Sequence, residues 1–106
     1  MKNKKLIRKK FRKAVFTRDN YTCVMCGVKP DSEDDIDPHH IENRNLLPNG
    51  GYVLENGITL CSKCHVAAEV YHSTGIALEG WHPDDLYKKI HSSKEEAIKA
   101  SNELND

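Results

Sequence analysis

A small α+β domain held by a metal-binding staple is what this chain predicts, on three observations. Two Cys-x-x-Cys pairs, Cys23/Cys26 and Cys61/Cys64, stand at the two ends of an intervening segment. Two short strand-like runs, "IDPHHI" and "GITL", lie within that segment among turn-forming residues. Helix-forming stretches precede the segment, follow its last cysteine and fill the C-terminal part. The 106 residues fit a single domain over 1–106. With 30% charged residues and a mean hydropathy of −0.69, the core must be small. Domains with small cores generally need a disulfide set, a metal or a partner.

The elements follow in order. In "KKLIRKKFRKAVFTRD" the apolar residues Leu6, Ile7, Phe11, Ala14, Val15 and Phe16 form one stripe with a basic opposite face, which predicts a helix ending near Asp19-Asn20. "YTCVMCGVKP" reads as a hairpin-like knuckle broken by Gly27 and Pro30, and "DSEDD" as an acidic loop. "NLLPNGGYV" carries an Asn-Gly-Gly turn at 49–51 between the two strand-like runs. A helix is expected from Ser62 or Lys63 to about Thr74, stopped by Gly75. "WHPDDLYKKI" starts another, with Pro83 at its first position and acidic residues in its first turn. Ser93 and Glu96 form a capping-box pattern before a last helix from Lys94 to about Leu104. The resulting organisation is a basic helical arm (1–18), a clamped core (19–74) and C-terminal helices (75–106). Tyr71, Leu78, Trp81, Leu86, Ile90, Ile98 and Leu104 are expected to pack, and the C-terminal helices to brace the core or bind a partner.

The charged N-terminus lacks a continuous apolar run, and no stretch reaches the roughly 20 apolar residues of a membrane span. A cytoplasmic setting with reduced thiols is therefore expected, in which paired cysteines read as metal ligands. Two-residue spacing lets backbone N–H groups turn toward the sulfurs while both thiolates face one ion. Four thiolates suit Zn²⁺, and such a closed set leaves no open position, so its role is structural. The knuckles lie farther apart than the about 15–20 residues of a simple ribbon, so the zinc clamps the ends of an inserted segment, 27–60.

The net charge of zero hides an asymmetry. Residues 1–18 hold all their charge as nine Lys and Arg, and the remainder carries a balancing acidic excess. A basic arm on an acidic body suggests a polyanionic partner.

Six histidines are left over from the zinc. His39 and His40 are neighbours on an extended run, so their side chains point to opposite faces and should have different jobs. His65 opens the helix after Cys64, Glu69 follows at i+4 on the same face, and His72 shares that side. One histidine of the pair, His65 and Glu69 or His72 could surround a second ion with open positions, the other histidine serving as a base. His82 looks like a helix-start residue and His91 an exposed one.

"CVMCG…DPHHI…LENGITLCSKCH" resembles the His-Asn-His (HNH) nucleases over about residues 11–72, with the parts in the family's order and near its spacing. The resemblance implies the ββα-metal (His-Me finger) fold, here zinc-stapled with flanking N- and C-terminal helices. It implies metal-dependent hydrolysis of DNA phosphodiesters to 5′-phosphate and 3′-hydroxyl ends. His39 and His65 correspond to metal ligands, His40 to the general base, and Asn56 to the residue whose side-chain carbonyl takes a hydrogen bond from that base. Many members place a histidine where Glu69 stands, which leaves the third ligand open between Glu69, His72 and water. A carboxylate would favour Mg²⁺ or Mn²⁺, though histidines also accept other divalent transition metals. Lys5, Arg8, Lys9, Arg12 and Lys13 of the arm, with Arg44 and Lys63, are expected on the DNA backbone. The resemblance also implies a viral or bacterial setting, in which the C-terminal helices, outside it, could touch DNA or bind other viral or host proteins. The alternatives are a non-catalytic zinc-ribbon DNA-binding or adaptor protein, and a nuclease selective for branched DNA or RNA.

Overall fold

The computed structural model describes residues 4–104; the first three residues of the basic arm and the last two of the chain lie outside the described residues. Helix α1 spans Lys4–Arg18, strand β1 Ile36–His40, strand β2 Gly57–Cys61, and helices α2, α3 and α4 span Ser62–Thr74, Pro83–Lys89 and Lys94–Asn102. The centre is an antiparallel hairpin running from the pair Ile36↔Cys61 to the pair His40↔Gly57. Its 41–56 connection is built from short 3-10 turns rather than one tight turn, and Asn49 and Gly50 take the positive φ expected of the Asn-Gly-Gly signal. With α2 the hairpin forms the ββα unit, flanked by helices, that the sequence predicts. Among the described residues no helix is long and apolar enough to cross a membrane.

Strand β2 is buried on both faces. Ile58 and Leu60 join Cys64, Ala68, Leu86, Tyr87 and Ala97 in the core on one side. Gly57 and Thr59 meet α1 on the other, through Val15 and Phe11 and through a bond from Thr59 Oγ1 to the Val15 carbonyl. A Cβ on Gly57 would overlap Val15 and lie 2.8 Å from Phe11, so glycine sets how closely α1 approaches the hairpin. The outer edge of β2 is satisfied locally. Thr59 N–H donates to Asp19, at the end of α1, and its carbonyl accepts from Val24 in the first cysteine knuckle.

Helix α1 buries Ile7, Phe11, Val15 and Phe16, whereas Leu6 and Ala14 of the expected stripe are exposed, on the border of a cleft between α1, residues 52–55 and Leu104. Helix α2 ends as expected, on Gly75 in the left-handed conformation (φ 80°) with its N–H on the Tyr71 carbonyl. His82 caps α3: its Nδ1 accepts from Asp84 N–H, and its own backbone N–H donates to Asp85 Oδ2. Ser93 Oγ accepts from Glu96 N–H at the start of α4, which stops at Asn102, short of Leu104. Trp81, Ile90 and Ile98 pack on the core and Leu86 lies within it, while Leu78 is about half exposed and does not pack as expected. The first knuckle is a turn without strand, closed by Gly27 N–H on the Cys23 carbonyl and Cys23 N–H on the Val28 carbonyl.

Candidate active site and metal centres

The first cysteine knuckle and the β2–α2 junction bring four sulfurs together, all within 4.8 Å of one another. Cys26 and Cys61 Sγ are 3.7 Å apart, and tetrahedral zinc with Zn–S bonds of about 2.3 Å requires sulfurs about 3.8 Å apart. Burial pushes the Cys23 thiol up, but backbone N–H groups of Cys26, Cys61 and Met25 facing the sulfur outweigh it and bring the pKa down to about 7. Burial and the surrounding thiols raise Cys64. Four thiols crowded in this way, one already poised to ionise, fit a cation.

The second cluster arises because adjacent residues of β1 face opposite ways. His39 turns toward α2, where its ring lies 5.1 Å from that of His65 and 5.3 Å from that of His72. His39 Nδ1 is 3.2 Å from Glu69 Oε2, and His65 Nε2 is 3.5 Å from the same oxygen. Ligand atoms of His39, His65 and Glu69 all lie within 4.8 Å of one another. His39 is 2% exposed, and neither ring nitrogen makes a directed hydrogen bond. Burial, then the neighbouring imidazoles, lower its pKa to about 2, so it stays neutral with a free lone pair. A buried neutral imidazole without a directed hydrogen bond, facing a second imidazole and a carboxylate, fits a divalent ion. His72 instead sets its Nε2 3.1 Å from the His40 carbonyl, which uses that nitrogen as a backbone brace.

His40 turns the other way, toward α1. Its ring stacks on Phe11 at 4.6 Å and meets the edge of Tyr52 at 4.8 Å. Burial first, then the charges of Arg44 and His72, hold its pKa down at about 4. Both faces of β1 border a cavity of about 350 Å³ lined by Asp37, His39, His40, Arg44, His65 and Glu69, among others.

Asn56 departs from expectation. Its Oδ1 accepts from Glu42 N–H (2.9 Å) and Tyr87 O–H (2.7 Å), while Nδ2 donates to the Glu42 and Gly51 carbonyls. Both lone pairs of Oδ1 are thus taken, and the expected bond between His40 and this carbonyl is not formed. Asn56 ties together the connection that follows the histidine pair, and its backbone carbonyl holds Ile41 N–H.

The basic residues divide as well. Arg12 reaches the Glu33 carbonyl and carboxylate and lies over Phe16, so the fold uses it. Arg8 Nε and Arg44 Nη1 both donate to Tyr52 Oη, at 3.3 and 2.8 Å. Lys5, Lys9, Lys13 and Lys63 are exposed. His91 is exposed at the end of α3 and His82 is committed to its cap.

Sequence reasoning missed four residues here. Asp37 Oδ2 lies 3.2 Å from His65 Nδ1, which turns Nε2 toward Glu69; its signal was available, since a residue two before His39 shares its face of a strand. Phe11 shows in the sequence only as part of an apolar stripe, and Tyr52 and Tyr87 carry no local signal, because each reaches the site from another element.

Residues 23–70 match the family described as HNH endonuclease. That stretch contains both cysteine pairs, the hairpin, both histidines of β1, Asn56, His65 and Glu69, and leaves α1, α3 and α4 outside. No curated protein and no solved structure matches the chain. Together with the two clusters, the family match supports a metal-dependent, nuclease-like function.

Proposed function

Starting from a chain that carries the HNH endonuclease signature over residues 23–70, we propose that it hydrolyses DNA phosphodiester bonds, with His40 as general base and one divalent ion as cofactor. The observation that carries this reading is the division of the histidine pair: His39 gathers with His65 and Glu69, while His40 stands apart, neutral, on the rim of the same cavity. His39, His65 and Glu69 would hold Mg²⁺ or Mn²⁺, and the two imidazoles also suit other divalent transition metals. Such an ion supplies positive charge against the phosphate oxygens as negative charge grows in the transition state.

The chain's own residues supply the rest. His40 Nε2 is enclosed without a partner, which leaves Nδ1 to take a proton from water. The water oxygen forms a bond to phosphorus as the bond to the 3′ oxygen breaks, and the departing 3′ oxygen takes a proton from solvent water, leaving 5′-phosphate and 3′-hydroxyl ends. Phe11 and Tyr52 hold the ring in place and limit water around it. Asp37 orients His65. Asn56 acts as a positioning residue, through the connection next to His40. The four cysteines would hold a structural Zn²⁺ at the base, which suits a reducing, cytoplasmic setting. Lys5, Lys9, Lys13 and Lys63 are free to meet DNA phosphates, sequence-independently.

Incubation of plasmid with the protein and Mg²⁺ or Mn²⁺, beside a His40→Ala variant checked for fold and zinc content, tests this. Nicking by the parent and none by the variant is expected. Equal cleavage by the two overturns the role of His40. DNA binding without cleavage by either returns the chain to a non-catalytic DNA-binding module.

A further inference from the structure

Arg8 comes from α1 and Arg44 from the connection after β1, and both point a guanidinium at one atom, Tyr52 Oη. Like charges drawn to one point repel unless an anion lies between them. Their counterparts are neutralised: Arg12 pairs with Glu33 and Arg18 with Asp19. Among the described residues, neither Arg8 nor Arg44 has a carboxylate within ion-pair reach. Each uses one of the five N–H donors of its guanidinium on Tyr52, and the rest remain for a ligand. Tyr52 Oη accepts from both, and its own O–H has no acceptor among the described residues. Burial raises the Tyr52 phenol, and the two guanidinium bonds lower it by more, so the net shift is downward. That hydroxyl is thus a stronger donor than usual. With the Tyr52 oxygen already occupied by the two arginines, what this point has left to offer a ligand is N–H and O–H donors, and Arg44 also lines the cavity of His40 and His39.

We propose that Arg8, Arg44 and Tyr52 form a clamp for a single DNA backbone phosphodiester, the one beside the phosphate under attack. The clamp rests on the reading that DNA is the partner, but not on catalysis. Two planar guanidiniums approach one phosphate from two elements, and the tyrosine keeps both turned inward before DNA arrives. Phe11, one turn along α1 from Arg8, stacks on His40 and meets Tyr52 edge-on. Helix α1 thereby fixes the distance between clamp and base, and DNA gripped here is registered on the cavity.

The test is equilibrium binding of a short duplex, without divalent ions, across a salt series. Each phosphate neutralised contributes about 0.9 to the slope of log K against log salt. If both arginines share one phosphate, Arg8→Gln and Arg44→Gln each weaken binding and keep most of the slope, and the double variant loses about 0.9. Loss of about twice that by the double variant means two separate phosphates and overturns the clamp, as does an unchanged slope. Arg8→Lys and Arg44→Lys keep the charge without the fork; they are expected to bind several-fold more weakly at an unaltered slope, and parental affinity in both refutes the clamp geometry. Melting temperature and zinc content confirm that each variant is folded. A protein that binds in this way yet never nicks plasmid keeps the clamp and loses the nuclease reading; one that nicks with an intact slope in the double variant does the reverse.

Discussion

The Tyr87 hydroxyl, on α3, donates to Asn56 Oδ1 at 2.7 Å. Tyr87 lies outside the HNH match and Asn56 within it. Further contacts join the same two parts: Ser92 Oγ donates to the Glu55 carbonyl, Asn49 Nδ2 donates to the Ser101 carbonyl, and Lys94 pairs with Glu42 at 3.5 Å. The C-terminal helices therefore brace the connection between the two strands, and Asn56 is the buried knot at which its backbone is tied.

Tyr87→Phe leaves Oδ1 with the Glu42 N–H, so it should cost about 1 kcal/mol, the net worth of one hydrogen bond. Asn56→Ala strands Glu42 N–H, the Tyr87 hydroxyl and two carbonyls together, and should cost about 3 kcal/mol or more. Thermal unfolding of the two variants should show a drop of several degrees for the first and a clearly larger one for the second. The reverse order would remove Asn56 from the centre of this network.

Gly57→Ala places a methyl against Val15 and Phe11, and α1 has to move outward. Overpacking of this kind costs about 1–3 kcal/mol. The shift also withdraws Phe11 from His40, so cleavage should fall by more than the loss of folded protein explains. Parental melting temperature and cleavage together would mean that α1 does not set the position of His40.

In its proposed role of general base His40 works only when neutral, and its pKa lies below the ordinary value, at about 4. Protonation should therefore begin only in distinctly acid solution. With the divalent ion saturating, kcat/KM should stay level below pH 6.5 and fall as the pH approaches about 4. A midpoint near the about 6.5 of a free imidazole would show that burial against Phe11 and Tyr52 does not govern this residue.

Asp37→Asn removes the carboxylate that orients His65, and such outer partners are worth about 10–100-fold in metal affinity. Titration calorimetry with Mn²⁺ should show that loss. Glu69→Gln should weaken binding further, because Glu69 Oε2 lies beside both His39 and His65. His72→Gln should have the smallest effect, since its Nε2 faces the His40 carbonyl. A larger loss in His72→Gln than in Glu69→Gln would make His72, not Glu69, the third ligand.

Much of this protein is written in local patterns. Cysteine spacing announces the staple, alternation along "IDPHHI" separates His39 from His40, and an i, i+4 relation puts His65 and Glu69 on one face of α2. The end of that helix at Gly75 and the His82 cap are local as well, since each depends on residues one turn apart. What the tertiary structure alone decides is long-range. Asn56 could have bonded to His40 or to the chain beside it, and only the arrival of Tyr87 from α3 fills its second lone pair. Arg8 and Arg12 look alike in the sequence, yet one turns to Tyr52 and the other to Glu33, because α1 crosses the hairpin at the angle that Gly57 permits. Periodicity tells which face of an element is apolar, but which side chain a distant element brings to that face depends on how the elements pack.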